Sequence, residues 1–246
     1  MEERMDMLEQ LVAAGIPASK LMPGTGMCAI PDSVRLTSHA VKQGVGGVLM
    51  LPPFYYKGVP DDGLFAGIAE VIEGVGDDRL RIYLYHIPPI AQVGFPIGVI
   101  ERLVSAYPNT VVGIKDSSRD WNNLNAILTT FSGTGFGTFS GTEMFLLETL
   151  RLGGAGTISA MSNLIPEKLR ALYDNWQSEN AEELQVEANG MRTTVEGYAP
   201  IPAIKAIIAD RFDDVGWRTV RPPLVTLNDD EAAAVLARVK ALNVPS

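Results

Sequence analysis

An amine and a phenol stand one strand apart in this sequence. Lys115 ends the apolar run of TVVGIKDSS, residues 110–118, and Tyr85 ends that of LRIYLYHIP, residues 80–88. Strand alternation sets Arg81, Tyr83 and Tyr85 on one face against Ile82, Leu84 and His86, and groups Val111, Gly113 and Lys115 against Val112, Ile114 and Asp116. Reactive groups of parallel α/β folds collect at the carboxyl ends of the strands. Neighbouring strands lie about 4.8 Å apart, so the two groups can converge on one small ligand, with Gly113 leaving room beneath the amine. A lysine in an apolar pocket has its charged form disfavoured, which supplies neutral amine for attack on a carbonyl. The iminium so formed is an electron sink for making or breaking a carbon–carbon bond, and a tyrosine beside it can shuttle the proton. Taken singly, each residue has a plainer reading. Lys115 can be a stem packed on apolar neighbours with its head at the rim, paired to Asp116, and Tyr85 a half-buried aromatic.

Periodicity shows which elements must hold the pair. Met5, Leu8, Leu11 and Val12 recur at helical spacing, and Gly15 with Pro17 ends that helix. SKLMPGTG reads as a short strand, followed by a helix with Asp32 as its N-cap, a stripe at Val34, Ala40 and Val41, and Gly44 at its end. The pattern returns in GVLMLP with DDGLFAGIAEVIEGV, LRIYLYH with PIGVIERLVSAYP, TVVGIKDS with DWNNLNAILTTF, GFGTFSG with TEMFLLETLRLGG, and AGTISA with PEKLRALYDNW, which makes six strand–helix units. Such alternation predicts an α/β fold, a parallel sheet covered by helices and either closed as a barrel or doubly wound. Leu184 to Val195, Ile201 to Ile208 and Asp229 to Leu242 read as helices. Residues 1–178 therefore carry the strand–helix units, and residues 179–246 form a helical extension packed on the same domain.

At 246 residues, 46% hydrophobic and 20% charged, the chain can bury one sizeable core. A net charge of −9 without a basic run leaves no electrostatic footprint for nucleic acid or an anionic membrane. The single cysteine, Cys28, excludes an intrachain disulfide, and no segment approaches the roughly 18 consecutive apolar residues of a membrane span. The first residues carry acids where an export signal needs a basic region. A cytoplasmic protein is expected.

GVLMLPPFYYKG, IYLYHIP, VVGIKDSS, FSGTE and GTISAMSN, in this order and spacing, resemble the dihydrodipicolinate synthase and N-acetylneuraminate lyase family, over essentially the whole chain. The resemblance implies a TIM-type (β/α)8 barrel with a C-terminal helical extension, and a cofactor-free, pyruvate-dependent class I aldolase or lyase that works as a homo-oligomer, a dimer or tetramer. It implies Lys115 as the Schiff-base lysine and Tyr85 as the proton relay. Tyr56, in PPFYYK, matches a tyrosine that reaches toward a neighbouring subunit's site, and Ile158, in GTISA, matches a position whose backbone carbonyl lies near bound pyruvate. Gly141, Thr142 and Glu143, in SGTE, match the segment where sugar-acid lyases keep acids for substrate hydroxyls. The alternative for the last pair is an N-cap at Thr142 with Glu143 in the first helical turn.

Two departures from the family pattern bear on substrate and completeness. The synthase branch has an arginine shortly after its tyrosine motif to hold a second carboxylate, whereas YHIPPIAQVG has Ile90 there. A small or hydroxylated, sugar-acid-like partner is therefore expected rather than an aspartate semialdehyde. The family's first two strand–helix units, with a Gly-Thr-Thr-Gly-Glu turn that holds the pyruvate carboxylate, have no match, so the barrel is expected to be N-terminally incomplete. A sugar-acid dehydratase using the same lysine, and a noncatalytic 2-oxo acid binder or inactive truncated homologue, are the alternatives. GTGMCA, residues 24–29, fits a dinucleotide-turn pattern, but the next strand lacks a terminal acid for a ribose, and it reads as a tight turn. His39 and His86 lie on different units without ligand-spaced Cys or acids, so no metal site is expected. Cys28 reads as a small buried filler.

Overall fold

Two-residue alternation in the apolar runs builds the sheet. The computed structural model describes residues 1–242. Strands β1 (Val48–Met50), β2 (Ile82–His86), β3 (Val111–Asp116) and β4 (Gly137–Ser140) pair in chain order, all parallel. Val48, Met50, Ile82, Leu84 and Ile114 turn to one face, each at most 1% exposed. There they form one core with side chains of helices α1 (Glu2–Ala13), α2 (Ile30–Lys42), α3 (Asp61–Val75), α5 (Ile97–Ala106) and α6 (Trp121–Thr130). A four-residue helix, α4 (Pro88–Ala91), follows β2 directly. These elements make a first compact unit, residues 1–141 with 152–155.

Residues 142–151 with the chain from 156 onward make a second unit. It holds α7 (Leu146–Arg151), the two-residue strand β5 (Gly156–Thr157), α8 (Pro166–Asp174), α9 (Ala181–Val195), α10 (Pro200–Phe212) and α11 (Asp229–Ala241). Its core is separate, built on residues such as Leu147, Met161, Leu172, Ala188, Ala203 and Val235. The last four positions of the extension expected at 179–246, residues 243–246, lie outside the described residues.

Among the described residues five strands form, one fewer than the repeat pattern predicts. SKLMPGTG is not a strand. It starts with a 3₁₀ turn at Ala18–Lys20 and touches the sheet only through a parallel bridge between Gly24 and Leu49. Thr25 N donates to Leu49 O at 2.9 Å, and Leu49 N to Pro23 O at 2.9 Å. Pro23 has no amide hydrogen to extend that ladder. Helix α2 begins at Ile30 with Ala29 as its N-cap, so Asp32 lies inside the first turn rather than capping it. Pro31 explains the earlier start, since a proline at the first positions costs a helix no hydrogen bond. Cys28, in the turn before α2, is exposed rather than buried.

The alternation expected in β3 also breaks. Ile82 pairs with Val111 but Tyr83 pairs with Gly113, a register shift that leaves Val112 as the extra residue. Val111 therefore joins the helix-side core at 1% exposure. Gly113 and Lys115 stay in register with Tyr83 and Tyr85.

Candidate active site

The bulge is what puts the amine and the phenol side by side. Downstream of it Tyr85 pairs with Lys115 and His86 with Asp116. Lys115 Nζ lies 3.3 Å from Tyr85 Oη, within hydrogen-bonding reach, and 4.4 Å from the centre of the Tyr85 ring. Both side chains are half-buried. The space beside Gly113 is filled by the Tyr83 ring, so a Cβ there would overlap that ring and Gly137 O. Tyr83 in turn meets Phe139 edge-on, with ring centres 5.8 Å apart. The amine thus stands at the strand ends above an aromatic floor. The room that the glycine leaves belongs to Tyr83 and not to a ligand.

The opposite face of the same two strands carries a second polar group. His86 is 7% exposed and Asp116 is 3% exposed. Asp116 accepts from Ser118 N at 2.7 Å and from Asn123 Nδ2 at 2.8 Å. Ser117 N donates to His86 O at 2.7 Å and Gly141 N to Asp116 O at 2.6 Å, which extends the ladder past Tyr85 and Lys115. Gly141 is a glycine because a Cβ there would overlap Ser117 Oγ and Asp116 O. Phe95 N donates to His86 Nδ1 at 2.9 Å, which leaves the ring proton on Nε2. Burial pushes the imidazole below its ordinary value, against the pull of the Asp116 charge.

In the second unit Thr142 caps the short 3₁₀ turn Glu143–Phe145 by accepting from Met144 N. Glu143 has no exposed surface. Arg192 of α9 grips its carboxylate with Nε to Oε1 and Nη2 to Oε2, both at 2.7 Å, and Ser159 Oγ donates to Oε2. Gln185, also on α9, donates to Glu143 O at 3.0 Å and accepts from Leu147 N at 2.9 Å. A bidentate arginine and a hydroxyl offset the cost of burying this carboxylate, and they leave it no open surface for a substrate hydroxyl. Ile158, half-buried, precedes Ser159 in the chain.

Tyr56 is 72% exposed and packs edge-on against Tyr55, with ring centres 5.2 Å apart. Lys57 Nζ ties that loop down by donating to Phe54 O and, at 2.8 Å, to Ala91 O. Ile90, where the sequence lacks an arginine, is 78% exposed. The Glu143 partners Arg192, Ser159 and Gln185 were not legible in the sequence, because contacts 49, 16 and 42 residues away leave no local pattern. Among the described residues no cluster of three or more His, Cys, Asp or Glu side chains is placed to hold a metal ion. No helix among them is long and apolar enough to cross a membrane.

Comparison with known proteins identifies the family of the chain. The sequence profile of the dihydrodipicolinate synthetase family matches residues 1–242. An uncharacterized DapA-like lyase of Chloroflexus aurantiacus is 30% identical over 236 residues, which cover 96% of this chain and 77% of the relative. A 4-hydroxy-tetrahydrodipicolinate synthase of Methanosarcina acetivorans is 28% identical over 242 residues, covering 96% and 80%. The crystal structure of dihydrodipicolinate synthase from Agrobacterium tumefaciens superposes with a TM-score of 0.89 at 28% identity, over 99% of this chain and 82% of that one. The chain belongs to the dihydrodipicolinate synthetase family, whose TIM-barrel frame its parallel strands and C-terminal helices follow.

Proposed function

We propose that the protein is a class I lyase or aldolase in which Lys115 forms a Schiff base with pyruvate or a related 2-oxo acid. The observation that carries this reading is the 3.3 Å approach of Lys115 Nζ to Tyr85 Oη at the ends of two paired strands. The neutral amine adds to the C2 carbonyl, and the carbinolamine loses water to give the iminium. Loss of a proton from C3 yields the enamine that attacks an aldehyde, and the reverse sequence cleaves the bond. Tyr85, within reach of the nitrogen, passes the protons that the addition and dehydration steps require. No cofactor enters these steps, since the iminium nitrogen itself takes up the electron pair.

In this reading Ile158 and the Gly141–Thr142 segment contact the substrate, as the family resemblance implies. Glu143, buried beneath Arg192 and Ser159, shapes that segment rather than touching substrate. Tyr56, exposed on its loop, faces a second subunit of a homo-oligomer. Ile90 supplies no charge for a distal carboxylate, so the aldehyde partner is small or hydroxylated and uncharged rather than an aspartate semialdehyde. A panel of aldehydes assayed with pyruvate tests the function. Glyceraldehyde and similar neutral aldehydes are expected to turn over faster than aspartate semialdehyde, with irreversible loss of activity when borohydride is added in the presence of pyruvate. Preference for the semialdehyde overturns the substrate assignment, and activity that survives pyruvate with borohydride overturns the Schiff base.

A further inference from the structure

On the face of the sheet opposite Lys115 the first unit carries an open pocket of about 320 Å³. Its apolar wall includes Leu64, Val93 and Phe95, and its polar wall is His86, Asn123, Gln92 and, at the rim, Asp61. The volume lies at the lower end of small-molecule pockets. The roof is held in place, because Lys57 joins the loop that leads to Gly58 and Val59 to Ala91 O, next to the segment 92–96 that forms the far wall.

The hydrogen-bonding capacity of this wall is specific. His86 is more than nine-tenths buried, and Phe95 N–H occupies its Nδ1, so Nε2 carries a hydrogen that must donate. Nε2 has no hydrogen-bond partner among the described residues and is not sealed from solvent, and His86 lines this pocket. Asn123 gives one of its two amide hydrogens to Asp116, which leaves the second hydrogen as a donor and its carbonyl oxygen as an acceptor. No lysine or arginine lines the cavity, whereas Asp61 does and Asp116 lies behind the imidazole. An anion there would meet only neutral donors, from His86, Asn123 and Gln92, together with two negative charges. An uncharged group that offers an acceptor beside a donor can pair with Nε2–H and with the Asn123 or Asp61 oxygens that line the same pocket.

We propose that this cavity is a second binding site, separate from the Lys115 centre, for a small uncharged molecule whose head group is a carboxamide or hydroxyl and whose body is apolar. The site selects against carboxylates, and so against the 2-oxo acid proposed for Lys115. Burial keeps His86 neutral, and neutrality preserves its role as a single donor. The proposal does not depend on the Schiff-base chemistry.

The chain has two histidines, so ring-nitrogen NMR spectra of the full-length protein can be assigned with one His39→Gln variant. Titration with the three-carbon probes propanamide, 1,2-propanediol and propionate then reads the site. Propanamide and propanediol are expected to shift the His86 Nε2 resonance saturably while His39 stays unmoved, and propionate to bind at least tenfold more weakly. Val59→Phe, which fills the cavity from a half-buried edge, is expected to abolish the His86 shift. If that variant does not fold, the wild-type comparison with propionate decides alone. Absence of a saturable His86 shift with both uncharged probes, or propionate binding as tightly as propanamide, overturns the proposal.

Discussion

In the proposed reaction Lys115 and Tyr85 divide the work, and substituting each separates their parts. Tyr85→Phe keeps the amine and its aromatic neighbour but removes the phenol that lies 3.3 Å from Nζ. We expect this variant to retain pyruvate adduct while turnover falls by about 10²–10⁴, the usual worth of a positioned proton relay. Turnover within threefold of wild type would remove Tyr85 from the mechanism. His86, on the other face, affects stability. Its native imidazole takes up a proton only below the ordinary value, because burial disfavours the charged form. The unfolded chain takes up that proton near pH 6.5, so it binds more protons than the native state just below that pH. Stability is then lost as pH falls below about 6.5 and regained as pH rises. His86→Gln is expected to shrink the difference in urea midpoint between pH 5.5 and 7.5, and an unchanged difference would show that His86 does not cause it.

At the scale of elements, the sheet depends on a glycine where two strands and a ring crowd together. Gly113→Ala forces a methyl group into Gly137 O and the Tyr83 ring. Overpacking of this kind costs about 1–3 kcal/mol, and here backbone must move as well, so β3 shifts against β2 and carries Lys115 with it. We expect a lower unfolding midpoint together with a slower adduct rate, and loss of either effect alone would mean that the strands do not share the strain. Much of this frame was legible in the sequence. Strand period 2 in LRIYLYHIP and TVVGIKDSS placed Tyr85 and Lys115 on one face, and the helical stripes of the C-terminal extension correspond to α9, α10 and α11. The bulge at Val112 was not legible, since one inserted residue leaves composition and mean period unchanged while moving Val111 across the sheet. Nor was the loss of the first strand, where SKLMPGTG has strand-like apolar residues but only one bridge to the sheet. Glu143 was recognisable as an acid at a strand end. Its burial under Arg192 was not, because their contact is tertiary and spans 49 residues.

For the whole molecule, likeness to a family at 28–30% identity over 96% of the chain means that most side chains differ while the frame stays the same. Such a frame can hold unrelated chemistries, so the function must be argued from the site itself. The net charge of −9 sharpens that point. An acidic protein repels a 2-oxo acid at long range, so a productive complex with pyruvate needs a local and specific bond, and the imine at Lys115 is the bond proposed. The most direct test is to incubate the protein with pyruvate, reduce with borohydride and map the modified peptide by mass spectrometry. Hydride delivery turns the iminium carbon–nitrogen double bond into a stable secondary amine. The account predicts a single reduced pyruvyl group confined to Lys115 and absent from Lys115→Ala. An adduct on a different lysine, one of equal yield in the alanine variant, or none in the wild-type chain would contradict it.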